Sequence, residues 1–315
     1  MELQEDEARG IAADEAAPEA VPEDSLAAPR VGIIGAGPVG TALGVAIDRA
    51  GWPVAAVSSR APGRRDRFCA LVPGSRGFAD PAGLLEEVEL AILAVPDDAI
   101  ASVAASIRLY PGQALVHTSG LLGAEVLQPA LSAGSQIGSF HPLVSFTADL
   151  DRSVAAIRGA TIALEGDPRL LAPLADLAEA LGAVPVRLPA GAKPAYHAAA
   201  VMASGGLVAL LDAIATLGKV AGLDEPGALA IYGRLLEQTL ANARSGGVAA
   251  ALTGPIVRGD AGTVVTHVEA LRRFAPDVLE LYAAVARREL KLAEERGTLA
   301  PPELDRVRAA LAMHA

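Results

Sequence analysis

Cysteine and aromatic residues are scarce in this chain of 315 residues. Cys69 is the only cysteine, which excludes an intramolecular disulfide and any metal site built from several cysteines, so we expect an ordinary packed thiol and no bound metal. Aromatic residues make up 3% of the sequence, whereas hydrophobic residues make up 52%. This composition is typical of a soluble globular protein with about two domains and a large core.

Basic residues are outnumbered, with 26 lysines and arginines against 37 acidic residues and a net charge of −11. Much of the excess lies in residues 1–29, where nine acidic side chains face Arg9 alone. That segment has few large apolar residues, which predicts a disordered acidic tail. The rest of the chain is nearly neutral and carries no pattern typical of nucleic-acid binding.

Long hydrophobic runs are also missing. The longest apolar stretch, residues 198–211, is too short to cross a bilayer and is followed by Asp212, so we expect no membrane span. The acidic N-terminus lacks the basic segment and apolar core of a secretory signal. We therefore expect a soluble cytoplasmic protein.

Short apolar runs alternate with helical patterns over residues 30–190, which predicts an α/β domain with a doubly wound parallel sheet covered by helices on both faces. The runs are RVGIIG, PVAAVSS, VELAILAVP, QALVHTSG, SQIGSFHP, ATIALEG and AVPVRLP. Residues 191–315 show only helical patterns broken by glycine and proline, so we expect a second, all-α domain.

A glycine-rich turn follows the first of these runs. Gly35, Gly37, Pro38, Val39 and Gly40 form a G-x-G-x-x-G pattern between the strand VGII and the helix PVGTALGVAIDRAG. In that context the glycines permit a tight turn and the helix N-terminus offers amides to a pyrophosphate, which predicts a Rossmann dinucleotide site. The alternative is a glycine turn in a domain that binds no nucleotide.

The end of the second strand indicates which dinucleotide is bound. Where NAD sites place a carboxylate, this chain has Ser58, Ser59 and Arg60, followed by Arg64 and Arg65. Hydroxyl and guanidinium groups donate hydrogen bonds to a 2′-phosphate, so we predict NADP(H) as the cofactor. The alternative is a solvated basic loop.

Two further loops end parallel strands and should face the same crevice. We expect Val95 and Pro96, and then Thr118 and Ser119, to border the cofactor, with Ser119 also contacting substrate. His141 ends another strand, and we consider a substrate contact and a structural histidine equally plausible.

Three polar residues fall on one face of the first helix of the second domain. Lys193, His197 and Ser204 are spaced by four and seven residues among alanine, valine and methionine. A buried ammonium requires a polar partner, so Lys193 and His197 are expected to face a pocket as catalytic residues, with Ser204 contacting substrate. The alternatives are a solvent-facing lysine and a hydrogen-bonded core histidine.

A second polar group interrupts the helical half at LTGPIVRGDAGTVVTH. Asp260 is predicted to cap a helix, which places Arg258 near free amides and suggests a carboxylate-binding site that includes Thr253 and, from the preceding helix, Asn242. The alternative is ordinary capping with Arg258 in a structural ion pair.

Taken together, the segments VGIIGAGPVG, HTSG, GSFHPLVSF, AKPAYHAAAVMAS and LTGPIVRGD resemble a Rossmann-like oxidoreductase family whose helical C-terminal module is catalogued as a domain of unknown function. The family is similar to pyrroline-5-carboxylate reductase, deazaflavin-dependent NADP reductases and 6-phosphogluconate dehydrogenase-like enzymes. The resemblance implies a helical domain that dimerises and closes the substrate crevice. Members often carry asparagine after the serine of this helix, whereas Ser204 is followed by Gly205 and Gly206.

The sequence therefore predicts an NADPH-dependent reductase of a small carbonyl or imine, with a 2-oxo acid such as ketopantoate as one candidate substrate implied by the resemblance. We expect a homodimer, because helices that are apolar on more than one face would be buried against a partner chain. Two other hypotheses remain: a non-catalytic NADP(H)-binding sensor or scaffold, and a deazaflavin-linked NADP reductase.

Overall fold

A computed structural model describes residues 28–312, so the predicted acidic tail lies almost entirely outside the described residues. The described chain forms two compact units that divide between Pro194 and Ala195, four residues beyond the boundary expected from sequence.

Among the described residues, the first unit contains eight strands and six α-helices. The strands are β1 (Val31–Ile34), β2 (Val54–Ser58), β3 (Arg76–Phe78), β4 (Leu90–Leu93), β5 (Ala114–His117), β6 (Gln136–Pro142), β7 (Thr161–Gly166) and β8 (Val184–Arg187). The helices are α1 (Pro38–Arg49), α2 (Pro62–Leu71), α3 (Pro81–Leu85), α4 (Asp97–Ser106), α5 (Leu150–Ile157) and α6 (Leu171–Ala180), and a 3-10 helix spans Ala124–Ala130.

The strands form one sheet in the order β3-β2-β1-β4-β5-β6-β7-β8, which confirms the predicted doubly wound architecture. The strand order reverses between β1 and β4, and this is the place where open α/β sheets bind ligands. The prediction of a wholly parallel sheet is wrong at one pair, since β6 and β7 run antiparallel. Both strands are apolar and buried on both faces, so their sequences carry no sign of relative direction.

Two apolar layers cover the two faces of the sheet. Side chains alternate along each strand, so Ile33 and Ile92 enter one core together with Phe68 and Phe140, while Leu93 enters the other. Cys69 packs partly buried against the first core. Burial on both faces explains why the central strands are continuously apolar and why they could be predicted from sequence.

The second unit is helical. Its first helix, α7 (Lys193–Val201), begins in the last residues of the first unit and continues through a π-helical turn at Met202–Gly206 into α8 (Leu207–Val220). The remaining helices are α9 (Glu225–Gly246), α10 (Val248–Ala251), α11 (Ala261–Phe274), α12 (Pro276–Arg296) and α13 (Pro301–Ala312). Apolar residues of α11, α12 and α13 form the largest core of this unit.

One stretch of the described chain has the length and hydropathy of a membrane span. It lies within Lys193–Val220, where an 18-residue window has a mean hydropathy of 1.9 and only 11% of that window is buried. Met202 and Val208 are among its most exposed side chains, at 76% and 64%. This unit therefore presents an apolar helical surface.

Candidate functional site

A cavity of about 830 Å³ opens beside the glycine-rich turn of the first unit. Its size falls within the range of about 300–1,000 Å³ that is usual for ligand sites. The predicted cofactor residues that line it are Gly35, Gly37, Pro38, Val39, Ser58, Ser59, Arg60, Arg64, Val95, Pro96 and Thr118. The structure thus brings residues from four separate strand ends to one place, whereas Gly40 and Ser119 are not among the lining residues.

The three glycines of the turn differ in role. Gly35 has a φ of +112°, and a Cβ there would lie 2.3 Å from the carbonyl oxygen of Ala94. A Cβ at Gly40 would lie 2.0 Å from the carbonyl oxygen of Gly35, so Gly40 lets α1 pack closely against β1 instead of lining the cavity. A Cβ at Gly37 would meet no atom within 4 Å, so the backbone at this position is open to a ligand. The turn fits a pyrophosphate at the start of α1.

The basic loop after β2 contains one arginine that holds the loop together and two arginines that face the cavity. Arg65 donates from Nη1 to the carbonyl oxygen of Ser59 at 2.6 Å and so holds the loop. Arg60 and Arg64 are exposed, and both line the cavity. These two guanidinium groups are the ones positioned to meet a 2′-phosphate.

Sequence reasoning missed several other lining residues. Ser102 and Ser106 on α4 line the same cavity, and Arg67 on α2 lines a neighbouring one of about 270 Å³ together with Arg64. The arginine-rich start of α2 was a signal for Arg67, since a helix places residues three apart on one face. The serines of α4 show no comparable pattern.

The hydroxyl and the amide of Ser119, which follows β5, both form hydrogen bonds. Its hydroxyl donates to Oδ2 of Asp97 at 2.9 Å and accepts from the amides of Leu121 at 3.1 Å and Leu122 at 3.0 Å. Its own amide donates to Nδ1 of His117 at 3.2 Å. Ser119 therefore organises the loop after β5, and its predicted contact with substrate remains a prediction.

His117 is a buried neutral histidine. Its Nδ1 accepts from Ser119, so Nε2 carries the proton and donates to the carbonyl oxygen of Gly123 at 3.1 Å. Burial, reinforced by the charge of Lys193, lowers the pKa of His117 to about 4. The side chain therefore stays uncharged at neutral pH and ties β5 to the loop over it.

This burial predicts an acid-sensitive fold. An unfolded histidine takes up a proton near its ordinary pKa of 6.5, whereas the folded one does so only near 4, so His117 should cost about 2–3 kcal/mol of stability as the pH falls across that interval. His117→Gln keeps an acceptor and a donor but cannot titrate. Urea unfolding at pH 7 and pH 4.5 should show a smaller loss for the variant, and equal losses would contradict this account of His117.

Lys193 is the other unusual group of this unit. Its side chain is 1% exposed, and Nζ donates to the carbonyl oxygen of Ser119 at 2.5 Å. Burial lowers the pKa of Lys193 to about 8, against the attraction of Glu165, Asp97 and Glu125. Because the neighbouring Thr118 lines the cavity, the ammonium lies close to the predicted cofactor site.

The other polar residues predicted on this helix occupy different settings. His197 lies one turn after Lys193 on α7 and is half-buried. The prediction of an unbroken α-helix to Ser204 is wrong, because Ser204 lies within the π-helical turn, where its hydroxyl donates to the carbonyl oxygen of Ala200 at 2.9 Å. The π-helical turn therefore changes the helical phase between His197 and Ser204, seven residues later, on which the predicted shared face depended.

The predicted cap of α11 is confirmed. Oδ1 of Asp260 accepts from the amide of Thr263 at 3.0 Å and Oδ2 from its hydroxyl at 2.7 Å, and these bonds lower the pKa of Asp260. The carboxylate of Asp260 already accepts these donors at the start of the helix, so they cannot also bind a substrate carboxylate there. A substrate anion held at this turn would depend on the exposed Arg258.

The remaining polar residues of that region lie on different elements. Nδ1 of His267 is 2.9 Å from the hydroxyl of Tyr282, so this histidine joins α11 to α12. Asn242 is exposed on α9, and Thr253 is exposed in the turn before Gly254. His141 lies half-buried in β6 of the first unit. Their convergence on one substrate remains a prediction.

Family models match both parts of the sequence. A Rossmann-like domain matches residues 16–142, and DUF2520, a domain of unknown function, matches residues 160–289. The second match includes β7, Lys193 and most of the helical unit. No curated protein matched the sequence.

Solved structures share the fold over most of the chain. A Bacteroides fragilis protein described as an NADP oxidoreductase is 22% identical with a TM-score of 0.66, covering 84% of this chain and 98% of its own. A Thermotoga maritima protein is 27% identical with a TM-score of 0.65, covering 84% and 99%. An Aspergillus terreus reductive aminase is 18% identical with a TM-score of 0.62, covering 89% and 99%.

Pyrroline-5-carboxylate reductases and an imine reductase have similar folds. The likeness extends through both the sheet and the helical unit, as the sequence resemblance implied. The chain carries a Rossmann-like domain at residues 16–142, followed by a DUF2520 domain at residues 160–289.

Proposed function

We propose that the protein is an NADPH-dependent oxidoreductase that reduces a small carbonyl or imine compound. The observation that carries the proposal is the buried ammonium of Lys193, which donates to Ser119 on the loop after Thr118, a residue that lines the glycine-turn cavity. A lysine with a pKa of about 8 is mostly protonated at neutral pH and can release its proton during a reaction. Similar folds in enzymes named as NADP oxidoreductases and imine reductases support this proposal.

The residues of the first unit fit the cofactor. The amides at the start of α1 suit a pyrophosphate, and Arg60 and Arg64 suit a 2′-phosphate. Bound NADPH supplies a hydride from its nicotinamide ring to an electrophilic carbon. The loop of Thr118 and Ser119 then lies at the reacting end of the crevice, as the carboxyl end of β5.

Lys193 supplies the proton that the reduction requires. As the carbon accepts hydride, negative charge develops on a carbonyl oxygen, or the nitrogen of an imine becomes a basic amine, and Nζ of Lys193 can donate to either. We propose that His197 relays or orients this proton and that Arg258 holds a substrate carboxylate. Substrates with an acid group, such as 2-oxo acids including ketopantoate, fit this set of residues.

The substrate class can be tested by following NADPH oxidation by the full-length protein with 2-oxo acids, ketopantoate and cyclic imines, and with a deazaflavin in a separate assay. We expect turnover with at least one carbonyl or imine. Bleaching of the deazaflavin alone would favour the deazaflavin-linked reductase. Tight NADPH binding without turnover of any compound would favour a sensor or scaffold and would contradict the proposed reaction.

We also propose that the protein is a soluble cytoplasmic homodimer. Exposed apolar side chains on the helical surface include Met202, Val208, Ile231, Leu235 and Val248. A second copy covering these side chains would remove them from water in a symmetric interface.

Light scattering at micromolar concentration should therefore give about twice the chain mass of 31.9 kDa. Val208→Glu combined with Leu235→Glu should give a monomer, since each adds a charge to the surface. Tyr110→Glu, which changes an exposed residue of the first unit, should leave the dimer intact. A wild-type monomer, or a protein that sediments with membranes, would contradict the dimer.

A further inference from the structure

A row of polar side chains crosses the sheet beside the cofactor cavity. In the strand register Leu93 of β4 pairs with His117 of β5, His117 with Ser139 of β6, and Ser139 with Glu165 of β7. Directly paired residues point to the same face, which here is the face of Leu93. His117, Ser139 and Glu165 therefore form a line of polar groups inside the sheet layer.

Burying this row costs stability. Ser139 is 1% exposed and Glu165 is 7% exposed, and within residues 28–312 neither Oγ of Ser139 nor Oε2 of Glu165 has a hydrogen-bond partner. A buried polar atom without a partner costs about 1–3 kcal/mol, and a carboxylate costs more. An apolar residue at position 165 would pack as well as the rest of β7, so packing alone does not account for a carboxylate at this position.

The 3-10 helix Ala124–Ala130 connects Glu165 to the loop that holds Lys193. The amide of Ala124 donates to the carboxylate of Glu165, while the carbonyl of the preceding Gly123 accepts from His117. The same loop begins at Ser119, whose carbonyl accepts from Nζ of Lys193. Glu165 and Lys193 are therefore attached to the two ends of one short loop.

Several charged and titratable groups face Lys193. Among the charges that favour its protonated form, Glu165 acts most strongly, followed by Asp97 of α4 and Glu125 of the 3-10 helix. Asp97 and Glu125 are exposed to water, which screens their charges, whereas Glu165 is buried; burial raises the pKa of Glu165, and the charge of Lys193 opposes this rise. His117 of β5 lies near Lys193 as well and remains neutral. His141 of β6 lies near His117, and His197 follows Lys193 by one turn of α7.

We propose that Glu165 is a positioning residue that keeps Lys193 protonated as the proton donor of the reductase. This inference rests on the proposed role of Lys193 in catalysis. During reduction the substrate carbon gains a hydride from NADPH, and its oxygen or nitrogen gains the proton of Nζ, which leaves a neutral lysine and oxidised NADP. The carboxylate of Glu165 then favours return of a proton from solvent to Nζ before the next turnover.

The protonation state of Lys193 can be measured directly. The sequence contains only three lysines, and Lys219 and Lys291 are exposed, so the full chain labelled with ¹³C at lysine Cε should give three assignable signals. Glu165→Gln should lower the pKa of Lys193 by about one pH unit or more, because it removes the least screened opposite charge. Glu125→Gln is the matched control and should cause a smaller decrease, and Glu165→Asp should retain most of the wild-type value.

Kinetics in the same variants distinguish this inference from the function on which it rests. The rate should fall as pH rises through the pKa of Lys193, and Glu165→Gln should move that decline to lower pH by the amount measured by NMR. If Glu165→Gln and Glu165→Asp leave the pKa of Lys193 at the wild-type value, the inference is wrong. If the pKa falls but the pH profile of the rate does not move, Glu165 retains its effect on Lys193 and the proposed proton donation is wrong.

Discussion

Lys193→Ala should lower kcat by about 100-fold or more, because it removes the group that donates a proton as hydride is transferred. The Kd for NADPH should stay almost unchanged, since Lys193 bonds to the carbonyl of Ser119 and is not among the residues that line the glycine-turn cavity. Steady-state turnover and a fluorescence titration with NADPH measure the two quantities separately.

Two further variants test whether Lys193 acts by proton donation. Lys193→Arg keeps the positive charge but has a pKa too high to release a proton, so it should also be poorly active if proton donation is the role of Lys193. Lys291→Ala removes an exposed lysine of α12 and should leave kcat unchanged. A Lys193→Ala enzyme with wild-type kcat would remove Lys193 from the mechanism.

The protein should bind NADPH at least about 10-fold more tightly than NADH, and Arg60→Ala should abolish most of that difference. A charge-assisted hydrogen bond to the 2′-phosphate contributes about 1.5–3 kcal/mol, and about 1.4 kcal/mol corresponds to a factor of ten. Arg60 and Arg64 line the cavity and are exposed, so Arg64→Ala should also reduce the preference.

Calorimetric titration with both nucleotides measures this preference. Arg108→Ala is a suitable control, because Arg108 is exposed, donates to the carbonyl oxygen of Leu131 and does not line the cavity. Equal affinities of the wild-type protein for NADPH and NADH would show that the serines and arginines after β2 do not select the cofactor.

Much of the fold could be predicted from local sequence. Most strands are buried on both faces and continuously apolar, and seven of the eight were found, including the largely exposed β8; the G-x-G-x-x-G turn was expected where β1 meets α1. Asp260 was expected as a cap because its carboxylate precedes a helical pattern, and Thr263 provides the donors. These features depend on residues close together in the chain.

Features that leave no clear local pattern, or that depend on distant residues, were missed. β3 has three residues, two of them exposed, so it carries no apolar pattern. The π-helical turn at Ser204 changes the phase of the helix without any proline, and two glycines were its only sign. Glu165 is the only charged residue of β7, and its relation to Lys193 could not be seen in the sequence, because it arises from the sheet register and from the loop of Ser119.

The most direct test of the central claim follows the hydride itself. The wild-type protein should be incubated with NADPH carrying deuterium at the nicotinamide C4 position, together with the carbonyl or imine that the oxidation assay identifies, and the product analysed by mass spectrometry. We predict that the reduced carbon carries one deuterium when the transferred position is labelled, and that Lys193→Ala forms the same product about 100-fold more slowly. A product without deuterium from either labelled face of the nicotinamide, or equal rates for the two proteins, would contradict the proposed NADPH-dependent reduction with Lys193 as proton donor.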